Sequence, residues 1–267
     1  MPTPEALANH YGVTFYPGRD SRGGAARGFF VRRRVALLRR HVPPPGPVLD
    51  YGCGNGDFLA ALAREGYGVE GVEPSEAGRA CVPPRIAVTD SLDGVEGRSF
   101  AAVTLWHVLE HVATPLETLV GLRGRLAPGG LLLVAVPNAA SPEARWCGPA
   151  WFHRDIPRHV AQFTPAALDA LLARAGLRVV SRGLRSAEYN LFGAIQSAAN
   201  LAPVEHNALY KVLKQGRSLA SLDRRTRALV VGVLATLPAW TAAAAAWDGL
   251  QAVAGTGSTL TVLARPG

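Results

Sequence analysis

Seventeen consecutive residues constrain this chain more than any others: P-V-L-D-Y-G-C-G-N-G-D-F-L-A-A-L-A, from Pro47 to Ala63. An apolar strand ends in Asp50, glycines follow at alternate positions (Gly52, Gly54, Gly56), and a helix begins. Without side-chain bulk the backbone can pass close to a ligand, and the amides at the helix start can point at it. The next strand, G-V-E-G-V-E-P, ends at Glu73, 21 residues after Gly52. In a doubly wound sheet an acid at that strand tip lies beside the first turn, where it can accept both hydroxyl hydrogen bonds of a ribose. The spacing therefore predicts a nucleoside-containing ligand. A dinucleotide site wants G-x-G-x-x-G, whereas this run is D-x-G-x-G-x-G. A carboxylate at Asp50 would repel a pyrophosphate and attract an ammonium, which argues against a nicotinamide oxidoreductase.

Around that turn, from Val48 to about Arg185, short apolar β-like runs alternate with amphipathic helical stretches, the pattern of a parallel sheet wrapped by helices in an α/β domain. Strands are expected at Val48–Tyr51, Gly68–Glu73, Ile86–Val88, Phe100–Leu105, Leu131–Val136 and Leu177–Leu184, and a last, alternating one at Thr259–Ala264. Thr114-Pro115-Leu116-Glu117 predicts a helix start closed by a capping box, and Phe163-Thr164-Pro165 predicts another, with Phe163 stapled onto Leu168. The chain divides into an N-terminal helical cap (1–46), the sheet core (47–185), a helical insertion (186–254) and the last core strand (255–267). In the cap, Tyr11, Tyr16 and a glycine–arginine stretch precede an arginine-rich helix stopped by P-P-P-G-P. Its arginines present either a solvated face or a contact for an acceptor phosphate.

The charge balance excludes some partners. Of the 28 basic residues only Lys211 and Lys214 are lysines, and the arginines are dispersed, without the one-faced clustering and stacking aromatics of a nucleic-acid footprint; no nucleic-acid partner is expected. Cys53, Cys81 and Cys147 are odd in number and lack metal or disulfide spacing, so a reducing compartment fits. The start M-P-T-P-E-A-L-A-N-H has no export-signal pattern, which points to a cytoplasmic protein.

The glycine segment resembles motif I of class I S-adenosylmethionine-dependent methyltransferases, and G-V-E-P, V-T-D-S-L, F-A-A-V-T-L-W-H-V-L-E-H-V, L-A-P-G-G-L-L-L-V-A-V-P-N and F-T-P-A-A-L-D-A-L-L-A-R-A-G-L resemble later segments of that family, in order. The branch it resembles is the small-molecule, ubiquinone-methyltransferase-like one. The resemblance implies a Rossmann-like seven-stranded sheet with an antiparallel last strand, and S-adenosylmethionine across the ends of the first strands. It places Asp50, Gly52, Cys53, Gly54 and Gly56 near the methionine part, Glu73 and Pro74 at the ribose, Asp90 and Ser91 at the adenine, and the backbone of Trp106 and His107 beside the methionine moiety. Thr89 departs from the glycine that relatives often carry. Methyl transfer asks a protein to align the acceptor and to remove its proton.

Histidine is the side chain whose charge changes most readily near neutral pH, and two segments present it. H-V-L-E-H places His107, Glu110 and His111 on one face of a helix. It spells a zinc-protease pattern that the surrounding motifs contradict. Ubiquinone-type relatives resemble it with E-x-x-E-H, which can hold a divalent metal; with His107 in place of that glutamate, a positional role is expected and no metal. W-F-H-R-D-I-P-R-H resembles the D-x-P-x-H-x-x-x-F-T segment of small-molecule methyltransferases through Asp155, Pro157, His159, Phe163 and Thr164. His159 is the first candidate for a general base, then His153, with His107 a third.

Ala228 to Trp247 is a run of 20 uncharged residues introduced by D-R-R-T-R. It is long enough to span a bilayer, yet a single crossing would separate the last strand from its sheet. The expectation is a lid with membrane-surface affinity through 224–247, Arg224, Arg225 and Arg227 meeting anionic headgroups. The whole reads as a methyltransferase acting on a small-molecule, lipid-linked, sugar or polyketide acceptor, cytoplasmic or peripheral to the inner face of the membrane. The alternative is a non-catalytic S-adenosylmethionine-binding module tethered to a membrane or assembly.

Overall fold

The computed structural model describes residues 24–183 and 187–267. Tyr11, Tyr16, the glycine–arginine stretch before Gly24, and Arg185 at the expected core boundary lie outside the described residues. Helix α1 (Gly24–Arg39) leads to β1 (Val48–Tyr51), α2 (Asp57–Arg64), β2 (Val69–Val72), α3 (Glu76–Cys81), β3 (Ala87–Thr89), β4 (Phe100–Trp106), α4 (Pro115–Arg123), β5 (Leu126–Pro137), α5 (Pro142–Cys147), α6 (Pro165–Arg174) and β6 (Leu177–Gly183). Four helices then follow, α7 (Ala187–Asn200), α8 (Ala208–Gln215), α9 (Arg224–Ala235) and α10 (Leu237–Val253), before β7 (Thr259–Pro266) returns to the sheet.

The seven strands lie in the order β3-β2-β1-β4-β5-β7-β6. β7 is antiparallel to both neighbours, and the other pairings are parallel. The direction of winding reverses between β1 and β4, and a crevice opens at such a switch point beyond the carboxyl ends of the strands. Both faces are apolar because neighbouring strand residues alternate between them. Leu49, Val103 and Leu132 join the larger core with Leu168 and Leu172 of α6. Val48, Ala102 and Leu131 join the core capped by Val35 and Leu38 of α1 and by Phe58 and Leu62 of α2. Each such side chain contributes about 1.5–3 kcal/mol when fully buried.

Two local expectations need correction. Thr114 stands at the start of α4, but its φ of −120° and ψ of 69° direct the hydroxyl away from the first turn and no side-chain cap forms. Pro115, with its preset φ, begins the helix instead. Thr164 does cap α6, accepting from the Ala167 amide at 3.2 Å. β5 begins five residues before Leu131, because Leu126 pairs with Phe100 across a register shift.

The insertion builds its own core from Ile195, Leu209, Leu222, Val230, Val233 and Ala244. Buried polar side chains tie it to the sheet. Ser197 and Ser258 donate to the two oxygens of Glu143 at 2.9 and 2.7 Å, Asn190 donates to Asp248 at 2.6 Å, and Thr259 donates to Asn190 at 2.8 Å. The uncharged run is not one rod: α9 and α10 meet at Thr236 with a 77° bend. Pro238, in the first turn of α10, has no N–H to continue a helix from α9. No single helix among the described residues is long and apolar enough to cross a membrane.

Candidate active site

The glycine turn has the shape its sequence requires. Gly52, Gly54 and Gly56 have φ of 74°, 56° and 74°, a left-handed region that costs other residues about 1–2 kcal/mol. A Cβ on Gly52 would lie 2.5 Å from a Val108 methyl, and one on Gly56 2.8 Å from Val82. The turn and the acid at the β2 tip come together as expected. The Gly54 amide donates to Glu73 Oε2 at 2.8 Å and the Ser75 amide to Oε1 at 2.9 Å. An ionised carboxylate offers about four acceptor positions, and the two amides hold the Glu73 carboxylate against the turn.

Asp50 is only 4% exposed and accepts from Thr104 Oγ1 at 2.5 Å. Burial raises its carboxyl to about 7, against the pull of Thr104 and of the Arg34 guanidinium and with the push of Glu73. Such a group is half protonated near neutrality, ready to ionise beside a cation. Cys53 donates its amide to the Val72 carbonyl at 3.2 Å, and burial pushes its thiol far up, leaving it chemically quiet. Pro74, Asp90 and Ser91 are exposed at the ends of β2 and β3, on the crevice rim. The departure at Thr89 is accommodated locally, its hydroxyl donating to the Ser91 carbonyl at 3.0 Å.

At the end of β4 the polar groups are unusually unsatisfied. Trp106 Nε1, His107 Nε2 and both oxygens of Glu110 are buried without a hydrogen-bond partner among the described residues. Buried polar atoms are nearly always paired, so a cluster of orphans around one crevice marks the place of a polar ligand. His107 also holds a left-handed φ of 55° while its amide donates to the Ala135 carbonyl at 2.8 Å. Its ring stacks on Tyr189 of the insertion at 3.5 Å between centroids, and its Nδ1 lies 3.5 Å from Glu110 Oε1. Burial works to raise the Glu110 carboxyl, but His107, His111 and His159 outweigh it and hold the group at about 2.

Two residues of this site were not singled out from the sequence. The Arg34 guanidinium of α1 lies over Trp106 at 5.1 Å and over Tyr189 at 5.7 Å, and donates to the Tyr189 hydroxyl at 3.3 Å. The cap helix thus delivers an arginine to the crevice. No local signal distinguishes Arg34 from its neighbours or Tyr189 from other aromatics; they meet across 155 positions of chain.

The His153 loop folds back on the same corner. Val160 and Ala161 donate to the Glu110 carbonyl at 2.9 and 3.2 Å. His153 is buried, with Nε2 3.2 Å from the Tyr189 carbonyl; burial, then the neighbouring His107 and His159, hold it down at about 3, so it is neutral. His159 Nδ1 bonds the His153 carbonyl at 2.7 Å and its ring meets His111 edge-on at 4.6 Å. Burial lowers its basicity as well. The donor atoms that converge to within 4.8 Å belong to Glu110, His111 and His159, a spacing able to hold a divalent cation, rather than to His107, Glu110 and His111.

Comparison with known proteins agrees with this geometry. A family model described as a methyltransferase domain matches residues 26–182. The ubiquinone biosynthesis O-methyltransferase of Cereibacter sphaeroides strain KD131 is 30% identical over 176 residues, covering 58% of this chain and 71% of that protein. The corresponding protein of Xanthomonas campestris pv. campestris strain B100 is 30% identical over 167 residues, covering 56% and 67%. Among solved structures, a SAM-dependent methyltransferase from Archaeoglobus fulgidus superposes with a TM-score of 0.54 at 17% identity, covering 89% of this chain and 93% of that one. The cyclase SpnF superposes at 0.58 with 16% identity over 99% and 96%. At such identities the two structural likenesses speak for the fold alone. With a family model covering more than half its length, laid over the glycine turn, the acid at the tip of β2 and the polar corner at the end of β4, this chain belongs to the methyltransferase-domain family, as a class I S-adenosylmethionine-dependent enzyme.

Proposed function

We propose that the enzyme methylates oxygen or nitrogen of a small-molecule acceptor that enters between the crevice and the insertion. The pairing of Glu73 with the Gly54 amide carries this reading, because it fixes a carboxylate beside a turn with no room for a side chain at Gly52 or Gly56. Bound there, S-adenosylmethionine supplies a methyl group activated by its sulfonium. Glu73 would accept from the ribose hydroxyls, Asp50 would face the ammonium and Arg34 the carboxylate of the methionine part, and Asp90 and Ser91 would flank the adenine. His107, whose Nε2 lacks a partner, is placed to take a proton from the acceptor. His159 backs it through Glu110, and His153 holds Tyr189 over the site.

The ubiquinone-pathway relatives are named O-methyltransferases, which supports a hydroxyl acceptor. The apolar insertion supports one with an extended apolar part, and such an acceptor fits an enzyme peripheral to the inner face of a membrane. Calorimetric titration with S-adenosylmethionine tests the cofactor half of the reading. Wild type should bind with micromolar affinity, and Glu73→Ala should weaken binding on the order of tenfold or more through the loss of two charge-assisted hydrogen bonds. Unchanged affinity in Glu73→Ala would remove the crevice from consideration.

A further inference from the structure

We propose that the outer face of α10, with the exposed indole of Trp146, is a docking surface for an anionic lipid bilayer, on which the enzyme lies without crossing it. The inference does not depend on the methyl-transfer reading. Only Ala244, Asp248 and Gln251 of α10 are buried. Its opposite side exposes Ala239, Ala242, Ala243, Ala246, Leu250 and Val253 at helical spacing, with Leu250 65% and Val253 90% exposed. The outward face of a helix in a water-soluble domain is ordinarily charged or polar, and this one carries no charge.

The hydroxyls at the start of α10 bond back to their own helices. Thr236 donates to the Gly232 carbonyl at 2.7 Å and Thr241 to the Leu237 carbonyl at 2.8 Å. The surface therefore offers almost no hydrogen bond to water, a property suited to hydrocarbon, where an unsatisfied polar group is costly. Trp146, 78% exposed on α5, pairs with Trp247 at 5.8 Å. With Trp240 they rim an apolar groove of about 330 Å³ between α5, α7 and α10. Tryptophans in such positions favour the level of lipid headgroups.

Charge selects the kind of surface. Arg145 beside Trp146 is exposed, and so are Arg224 and Arg225 at the start of α9 together with Asp223, which caps that helix, while the carboxylates of α5 and α10, Glu143 and Asp248, are both buried. The apolar face is thus accompanied by cations and by no exposed acid of its own helices. That complementarity fits anionic headgroups, which attract arginines close to the surface. It does not fit a second copy of the same face, which would bring like charges together. The 77° bend between α9 and α10 excludes a straight crossing by the pair.

Flotation with phosphatidylcholine vesicles, with and without phosphatidylglycerol, tests the proposal. Wild-type protein should float with the anionic vesicles and be partly released by salt. Leu250→Glu/Val253→Glu should reduce binding on the order of tenfold or more, and Arg224→Gln/Arg225→Gln should reduce it severalfold with a weaker salt response. Both double variants alter exposed side chains and should retain wild-type S-adenosylmethionine affinity, which separates this test from that of the crevice. Trp146 emission should shift to the blue on anionic vesicles and stay unshifted in Leu250→Glu/Val253→Glu. Three results would overturn the proposal: no flotation of the wild type, flotation indifferent to Leu250→Glu/Val253→Glu, or a dimer in light scattering that this variant dissolves.

Discussion

The crevice and the insertion both bury carboxylates, and they satisfy them in opposite ways. In the insertion and its seam, Glu143 is met by Ser197 and Ser258, and Asp248 by Asn190. Neutral side-chain donors there match the acids closely, while among the described residues Gln251 and the Trp151 indole N–H are left without a hydrogen-bond partner. In the crevice, Glu73 is held by backbone amides of the turn, Asp50 is buried at the edge of ionisation, and Glu110 has no hydrogen-bond partner among the described residues. A matched acid is a lock between elements. A buried acid with orphaned oxygens, as at Glu110, adds little to the stability of the fold.

If that contrast holds, changes in the crevice should move ligand affinity and changes in the seam should move stability. The largest separation is expected for Gly52→Ala. Its Cβ meets Val108 at 2.5 Å in a left-handed backbone, and a cost of about 2 kcal/mol, relieved by withdrawing the turn, weakens S-adenosylmethionine binding roughly thirtyfold; calorimetry reads it.

The next effect is one of pH. With the buried carboxyl of Asp50 at about 7, acid keeps it neutral, and binding of a ligand ammonium must expel the proton. Affinity should therefore fall as pH drops, by roughly twentyfold between about pH 7.5 and 5.5. Asp50→Asn should flatten that dependence, and titration in buffers of different ionisation enthalpy counts the released proton. Ser258→Ala should do the reverse of the crevice variants. Removing one of two donors to buried Glu143 costs about 1–3 kcal/mol and lowers Tm by several degrees, with S-adenosylmethionine affinity unchanged. A Ser258→Ala protein that lost affinity would break the comparison.

Much of the crevice was legible because its chemistry is written in short segments. The strand, glycines and helix occupy neighbouring positions, and Glu73 falls at the tip of the next strand, so local pattern and sheet geometry together place them. The histidine corner was half legible. H-V-L-E-H promised one helical face, yet the segment turns in a short 3-10 turn at Leu109–His111, and the third donor near Glu110 and His111 comes from His159 on a distant loop. The bend at Thr236 had a visible cause in Pro238, but composition alone read Ala228 to Trp247 as a single run. The arginines of α1 were legible as a charged helix and not as a source of crevice residues.

Alternation of apolar residues and the glycine turn determined the α/β sheet and the conformation of its first turn, since each depends on backbone conformation and residue period within a few positions; the antiparallel last strand followed from the family resemblance. The meeting of Arg34, Trp106 and Tyr189, the pairing of Asp50 with Thr104, and the serine and asparagine clasps on Glu143 and Asp248 were decided by tertiary structure alone. They join side chains 54 to 155 positions apart across two packed layers, and burial, which no local pattern encodes, sets both their charges and their partners.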